Sequence, residues 1–116
     1  MGIASTPEPP YTAVIFTSIL KSDQGYAAMS ARMKELAATQ PGFLGIESAR
    51  DDLGLTVSYW RHEADAAAWK QVTEHLVAQQ GGRQRWYDDY RVRVATVGRE
   101  YGMSDPRHSD SPPGDH

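Results

Sequence analysis

The sequence contains no cysteine, and this absence excludes several kinds of chemistry. Without thiols the chain cannot form disulfides, a thiolate nucleophile, or a zinc or iron–sulfur site ligated by cysteine. The lack of disulfides is compatible with a reducing compartment, so we expect a cytoplasmic location. The N-terminal residues do not follow the pattern of a secretory signal, and no apolar run approaches the ~20 residues that span a bilayer. We therefore expect no membrane partner.

The sequence also has fewer basic than acidic residues. Twelve lysines and arginines stand against fifteen acidic residues, which gives a net charge of −3. No broad basic field is available to attract nucleic acid, so we expect no nucleic-acid partner. Two of the four histidines, His108 and His116, lie near the C-terminus, and no second histidine or carboxylate accompanies His75 at ligand spacing. We therefore expect no metal site.

The length of 116 residues is enough for one domain. Residues 1–10 and 102–116 are rich in proline and polar groups, which predicts two disordered ends around a folded part at 11–101. A domain of this size buries only roughly 60–70% of the surface of its unfolded chain. A partner chain would therefore add to a modest core.

Hydrophobic periodicity predicts the elements of the folded part. Residues 11–20 are β-branched and aromatic, which predicts a strand. In residues 25–40, apolar side chains recur every three or four positions from Tyr26 to Leu36, which predicts one face of a helix. The remaining predicted elements are strands at 43–50 and 53–60, a helix at 63–71, a further helical stretch at 74–86 capped by Thr73, and a strand at 90–99.

The element order is β-α-β-β-α-β, which is the α+β arrangement called ferredoxin-like, with helices on one face of an antiparallel sheet. The first strand carries apolar residues on both faces, since Ile15 and Ile19 alternate with Val14 and Phe16. A sheet with one solvated face shows a cleaner alternation of apolar and polar residues. We therefore expect the second face to be covered by a second copy of the chain, in a homodimer packed sheet to sheet.

Most of the side chains that could carry chemistry lie between Trp60 and Tyr90, and this stretch holds all three tryptophans. One interpretation is core packing beside a solvated helix face. The other is a cavity between sheet and helices, with aromatic walls and a few polar groups. Within a continuous helix, His75 and Trp86 would share one face. His75 titrates near neutral pH, so it can serve as a general base, a hydrogen-bond donor or a metal ligand.

Four arginines form a basic group near the end of the folded part: Arg83, Arg85, Arg91 and Arg93. Arg91 and Arg93 share one face of their predicted strand. They could hold an anion or stabilise an enolate-like charge. The alternative is that they pair with the nearby carboxylates of Asp88, Asp89 and Glu100.

A family resemblance rests on several segments that follow one another at characteristic distances. The first four are Gln40-Pro41-Gly42-Phe43-Leu44-Gly45, Val57-Ser58-Tyr59-Trp60, Ala68-Trp69-Lys70 and Glu74-His75-Leu76. The pattern closes with Arg83-x-x-Trp86-Tyr87-x-x-Tyr90-x-x-Arg93. Over residues 11–99 the sequence resembles the antibiotic biosynthesis monooxygenase family of the dimeric α+β barrel superfamily, in particular a small, poorly characterised bacterial branch.

The resemblance implies a ferredoxin-like homodimer with a pocket between helices and sheet. Some members of the family oxygenate polycyclic phenols or quinols with dioxygen and without metal or flavin. In that mechanism the substrate is deprotonated and its own carbanion reduces oxygen, while the protein supplies a base, aromatic walls and exclusion of water. Related members bind and degrade haem through a histidine ligand. Trp69 is the residue that the resemblance identifies as a pocket wall.

Our leading hypothesis is a monooxygenase without a cofactor that acts on a small aromatic or polyketide-like molecule. The alternatives are a non-catalytic dimer that binds a small hydrophobic molecule, and a haem-binding protein with His75 as the axial ligand. In the leading hypothesis His75 is the base or orienting donor, and Tyr90 and Arg93 are polar anchors. The expected substrate-binding residues are Trp60, Trp69, Trp86 and Arg83.

Overall fold

The computed structural model of the chain describes residues 2–79, 81–82 and 85–103. Its elements follow the predicted order β-α-β-β-α-β, which confirms the α+β ferredoxin-like fold. The elements are β1 (Tyr11–Leu20), α1 (Tyr26–Ala38), β2 (Phe43–Arg50), β3 (Gly54–Trp60), α2 (Glu63–Gln79) and β4 (Tyr87–Val97).

The four strands form one antiparallel sheet in the order β2-β3-β1-β4, with β1 and β3 in the centre. Because side chains alternate across a strand, the pairing register assigns each row of residues to one face. The row that contains Val14 pairs it with Ser58 and Val94, and this face lies under the two helices. We call it the helix face. The neighbouring row pairs Ile15 with Val57 and Arg93, on what we call the open face.

Two buried clusters fill the space between the helices and the helix face. One contains Ala37, Trp60, Ala66 and Trp69, and the other contains Met29, Val77 and Trp86. Met33 of α1 is partly buried and packs against both clusters, so it bridges them. Members of both clusters line the cavity described below.

Helix α2 runs without a break from Glu63 to Gln79, so the predicted separate helical stretch at 74–86 is wrong. The hydroxyl of Thr73 donates to the carbonyl oxygen of Lys70 at 2.8 Å, within the helix, instead of capping a new one. Gly81 and Gly82 take positive φ values of 102° and 87°, which are left-handed and end the helix. Trp86 therefore follows α2 and lies just before β4, which begins three residues earlier than predicted.

The segment before β1 contacts the sheet. The amide of Ala4 donates to Glu47 Oε2 at 2.8 Å, and the predicted disorder of residues 1–10 stays a prediction. The hydroxyl of Thr6 donates to Glu100 Oε1 at 2.8 Å, next to the hydroxyl of Tyr11. These bonds fix part of the segment against one end of the open face. Of the predicted disordered tail at 102–116, residues 104–116 lie outside the described residues.

Within the described ranges, no helix is both long enough and apolar enough to cross a membrane.

Candidate functional site: an aromatic cavity between the helices and the sheet

A cavity of about 530 Å³ opens between α1 and α2 above the helix face of the sheet. Its floor includes Val14 and Phe16 from the central strand β1, and Val92 and Val94 from the edge strand β4. Pockets for small organic molecules commonly have volumes of roughly 300–1,000 Å³ and mainly apolar walls. The cavity therefore has the size and the lining of a small-molecule site.

Aromatic rings form one end of this cavity in a connected group. The ring of Phe16 lies 5.4 Å from that of Tyr87 and 5.7 Å from that of Tyr90. Tyr26 joins the group from α1, with its ring 5.9 Å from Tyr87 and 6.5 Å from Trp86. Rings at these separations favour edge-to-face and offset contacts, which a planar aromatic ligand can extend.

Three of the predicted substrate-binding or catalytic residues do line the cavity: Trp69, Trp86 and Tyr90. Trp86 is almost fully buried and its indole N–H donates to the carbonyl oxygen of Gln24 at 3.0 Å, which fixes the ring. Tyr90 keeps 42% of its surface exposed and stands at the open side of the cavity. The structure therefore brings these three side chains to one cavity.

Trp60 does not line the cavity. Its side chain is 0% exposed and packs behind Trp69, with the two rings stacked 5.7 Å apart at 30°. The indole N–H of Trp60 donates to the hydroxyl of Ser58 at 2.9 Å. Because its one polar atom is satisfied inside the core, Trp60 acts as a support for the wall rather than as a contact for a ligand.

His75 is not brought to the cavity. Its side chain is exposed on α2, and its Nε2 lies 3.3 Å from Nε2 of Gln79, one turn further along the helix. The cavity face of α2 is formed instead by Glu63, Ala66, Ala67, Trp69, Lys70, Thr73, Glu74 and Val77. Successive helix residues are rotated by about 100°. The side chain of Glu74 therefore lines the cavity, whereas that of the next residue, His75, lies on another face of the helix. The predicted convergence of His75 with Trp86 fails because the helix ends between them.

Arg93 lies on the open face, across the sheet from Tyr90. It pairs with Ile15 on β1, whereas its neighbours Val92 and Val94 form the cavity floor. Strand alternation therefore prevents Arg93 and Tyr90 from anchoring the same ligand in this cavity. Arg83 lies outside the described residues.

The charged groups of the cavity come from the helices. Glu63, Lys70 and Glu74 project from α2, and Lys34 projects from α1. The ammonium group of Lys70 lies 3.7 Å from a carboxylate oxygen of Glu74, and both side chains are largely exposed. Glu74 is therefore one of the carboxylates at the rim of the cavity, where it can accept a proton from a bound molecule.

Several cavity residues were outside the sequence-based set of candidates. Tyr26, Met29 and Met33 belong to the apolar stripe that predicted helix α1, and all three line the cavity. Phe16 is on the helix face of β1, as the strand alternation predicts. A stripe that faces a cavity has the same spacing as one that faces a core, so the pattern could not separate the two.

A second polar group lies on the open face, away from the cavity. The hydroxyl of Tyr59 donates to Glu47 Oε1 at 2.6 Å, and the ring of Tyr59 contacts that of Tyr11 edge to face. Burial raises the pKa of Tyr59 well above its usual value, and the bond to the Glu47 carboxylate adds to this. Burial is also the main cause that raises the pKa of Tyr11. Both phenols are therefore neutral donors at physiological pH.

Among the residues that the structure describes, no group of three or more His, Cys, Asp or Glu side chains could hold a metal ion.

The fold and the cavity define a ferredoxin-like α+β domain with an aromatic cavity between its helices and its sheet. A family model described as antibiotic biosynthesis monooxygenase matches residues 21–81, which is more than half of the chain. The chain belongs to the antibiotic biosynthesis monooxygenase family. This confirms the resemblance that the sequence motifs indicated.

One curated relative and two solved structures are similar to this chain. The uncharacterized protein YqjZ of Bacillus subtilis strain 168 is 50% identical over 101 residues, covering 84% of this chain and 89% of that protein. SnoaB of Streptomyces nogalater, described as a cofactor-independent oxygenase, has a TM-score of 0.62 at 9% identity, with 84% of this chain and 100% of that chain covered. PA3566 of Pseudomonas aeruginosa has a TM-score of 0.58 at 17% identity, with coverages of 82% and 99%. At such identities the two structures show a shared fold.

Proposed function

We propose that the protein is a cofactor-independent monooxygenase that acts on a small aromatic or polyketide-like molecule. The observation that carries the proposal is the aromatic cavity of about 530 Å³ in a domain of this family. The fold shared with SnoaB, described as a cofactor-independent oxygenase, is consistent with such a reaction.

The chemistry that suits this cavity begins with removal of a proton from an activated CH₂ group of the substrate. The carbanion then transfers electrons to dioxygen and forms a C–O bond, and loss of water from the hydroperoxide leaves a carbonyl group. The overall change, CH₂ + O₂ → C=O + H₂O, balances without an external reductant. The protein needs only a base, aromatic walls and a site that excludes water.

We assign the proton transfer to Glu74 and the walls to Trp69, Trp86 and Tyr90. Glu74 lines the cavity, and its pairing with Lys70 keeps the carboxylate at the rim where a substrate can reach it. His75 remains the base of the sequence-based hypothesis, although its exposed position is on a different face of α2. The same position gives no support to haem ligation by His75 inside this cavity.

The test is oxygen uptake with a panel of quinols and anthrones. We expect wild-type protein to consume oxygen, and Glu74→Gln to lower the rate by about a hundredfold, the contribution typical of a general base. His75→Ala and the surface control Glu35→Gln are expected to retain the wild-type rate. A loss of rate in His75→Ala alone would instead support the sequence-based assignment.

The second candidate function is non-catalytic binding of a small hydrophobic molecule. The observation that favours it is that the charged cavity groups lie on the helices at the rim, while the sheet residues that form the floor are uncharged. Uptake of oxygen with none of the substrates, together with a retained ligand in native mass spectrometry, would support binding over catalysis.

We further propose a cytoplasmic homodimer that buries the open face. This face presents Ile15 and Val57 in the centre of one row, with Glu47 at the β2 edge and Arg93 at the β4 edge. A two-fold axis parallel to the strands exchanges the two edges, so Glu47 of each chain faces Arg93 of the partner subunit. The pattern is therefore complementary to itself, as a two-fold interface requires.

A further inference from the structure

Arg50, the last residue of β2, crosses the helix face of the sheet. It pairs with Gly54 on β3, Gly54 pairs with Ser18 on β1, and Ser18 pairs with Tyr90 on β4. Because Gly54 has no side chain, the guanidinium lies where a Cβ would be, and a Cβ built there would overlap it. This gap lets Arg50 reach across one strand to the centre of the sheet.

The guanidinium is held in that position by two contacts. Its Nη2 donates to the hydroxyl of Ser18, and its Nη1 donates to the carbonyl oxygen of the same residue at 3.4 Å. Ser18 is only 1% exposed. Its Cζ lies 5.3 Å from the centre of the Tyr26 ring, a cation–π distance. Arg50 is itself exposed and does not line the cavity, but its contact with Tyr26, which does, places the cation beside the aromatic end.

The charge of Arg50 has no carboxylate partner within the described part of the chain. The nearby Asp51 and Asp52 occupy the turn between β2 and β3 and form no ion pair with it. A guanidinium carries five N–H donors, and Ser18 accepts from only two of its nitrogens. The remaining donors are in the fork geometry that binds a carboxylate or another oxyanion.

We propose that Arg50 binds the anionic oxygen of an aromatic acid, a carboxylate or an ionised phenol, whose rings lie in the cavity. The proposal rests on the proposed cavity as the binding site, but not on the oxygenase reaction. It adds a charge requirement to the ligand, which the aromatic walls alone do not impose. The position on the sheet fixes where that charge lies, beside Tyr26 and Tyr90.

Lys34 is the competing cation. It lines the cavity from α1, and the described residues offer it no ion pair. Its ammonium group is a flexible point charge, whereas the Arg50 guanidinium is held by a buried serine and an aromatic ring. We therefore expect Arg50, and not Lys34, to determine selectivity for anions.

Two fluorescent probes with the same rings separate the charge from the aromatic body. The first is 8-anilinonaphthalene-1-sulfonate, and the second is N-phenyl-1-naphthylamine, which lacks the sulfonate. We expect Arg50→Gln to weaken binding of the anionic probe about tenfold, the scale of a charge-assisted hydrogen bond that is partly exposed. Binding of the neutral probe should change less than about twofold, because its aromatic contacts remain.

Gly54→Ala is the second variant, since it keeps the arginine and displaces the guanidinium from its place over the sheet. It should lower the affinity for the anionic probe in the same direction as Arg50→Gln. Arg32→Gln, which removes an arginine that pairs with Glu35 on the surface, is the matched control and should change neither affinity. Competition between the two probes establishes that they share one cavity, and thermal denaturation establishes that each variant is folded.

Four results would overturn the proposal. Equal losses for both probes in Arg50→Gln would mean a structural role, and an unchanged affinity for the anionic probe would mean no role. Loss of anion selectivity in Lys34→Gln alone would assign it to Lys34. Failure of the neutral probe to bind wild-type protein would remove the cavity as a site, and with it the proposed function, whereas lack of oxygen uptake with normal probe binding would affect the oxygenase reaction only.

Discussion

The indole rings of Trp60 and Trp69 stack 5.7 Å apart, and only Trp69 reaches the cavity. Trp60 also contacts the ring of Phe43 edge to face, with ring centres 5.5 Å apart. Trp69 is therefore the ring of this three-ring cluster that faces the cavity. We expect stability and ligand binding to depend on different members of the cluster, which makes them separable by mutation.

We expect Trp60→Ala to destabilise the protein by about 3–5 kcal/mol, as for other large core residues whose removal leaves a void. Trp69→Phe keeps a ring at the wall and should cost much less stability, but it should weaken binding of aromatic probes. Denaturant unfolding and probe titration of both variants check the separation. Equal effects of the two substitutions on binding would contradict the layered arrangement.

The backbone at Gly42 provides a second prediction. Gly42 has a φ of 81°, and a Cβ there would overlap the carboxylate of Asp65, which accepts from the amide of His62 at 3.1 Å near the start of α2. We expect Gly42→Ala to lower the free energy of unfolding by more than about 1 kcal/mol, from left-handed strain and loss of this cap. Gly98→Ala is the control, because its Cβ meets no atom within 4 Å. Similar midpoints for the two variants in urea would refute the argument.

The phenol of Tyr59 predicts how stability changes at high pH. Its pKa is raised in the folded state, so the contribution to stability is complete below the unfolded-state pKa of about 10 and declines above it. We expect Tyr59→Phe to lower the melting temperature at pH 8, since Glu47 loses one of its two donors and keeps only the amide of Ala4. Between about pH 10 and pH 12, the melting temperature of the same variant should fall less steeply than that of the wild-type protein, because the phenol at position 59 is gone. Tyr101→Phe serves as the control, and a parallel fall in Tyr59→Phe and wild-type protein would contradict the assignment.

The proposed dimer interface is tested by exchanging its charges. Arg93→Glu and Glu47→Arg should each raise the dissociation constant of the dimer by about tenfold or more, because like charges would then face each other. The double variant should recover much of the loss, since the pairs are restored with opposite polarity. Sedimentation at low and high salt measures both effects, with Arg61→Glu as a control of equal charge change. A double variant as weak as the single variants, or a monomeric wild-type protein, would exclude this arrangement.

Much of the fold could be predicted because each element carries a local signal. Residues 11–20 are β-branched, and the predicted hairpin at 43–60 has turn residues between its strands. The end of α2 could not be placed, because a glycine pair costs a helix only about 1 kcal/mol per residue. Whether the chain turns left-handed at that point depends on the contacts of the whole domain. Because the helix ends there, Trp86 follows α2 and does not share a helix face with His75.

The site was predictable where large aromatic side chains met strand or helix periodicity, as for Trp69 and Tyr90. It was not predictable where a shift of one residue decides the direction of a side chain. Glu74 and His75 differ by one step of a helix, and Arg93 and Val94 differ by one step of a strand. The position of the Arg50 side chain could not be predicted either. It crosses β3 because Arg50 faces Gly54, and that pairing depends on the register of the hairpin.

The two clusters of the core have a consequence for finding the ligand. Members of both clusters line the cavity, so a bound molecule would extend the apolar interior from one cluster to the other. A ligand at a hundred times its dissociation constant adds about 2.7 kcal/mol to the free energy of unfolding. Melting temperature therefore reports occupancy directly, whether or not the molecule is turned over. A thermal-shift screen of aromatic acids against their neutral amides can thus identify the ligand class before any reaction is known.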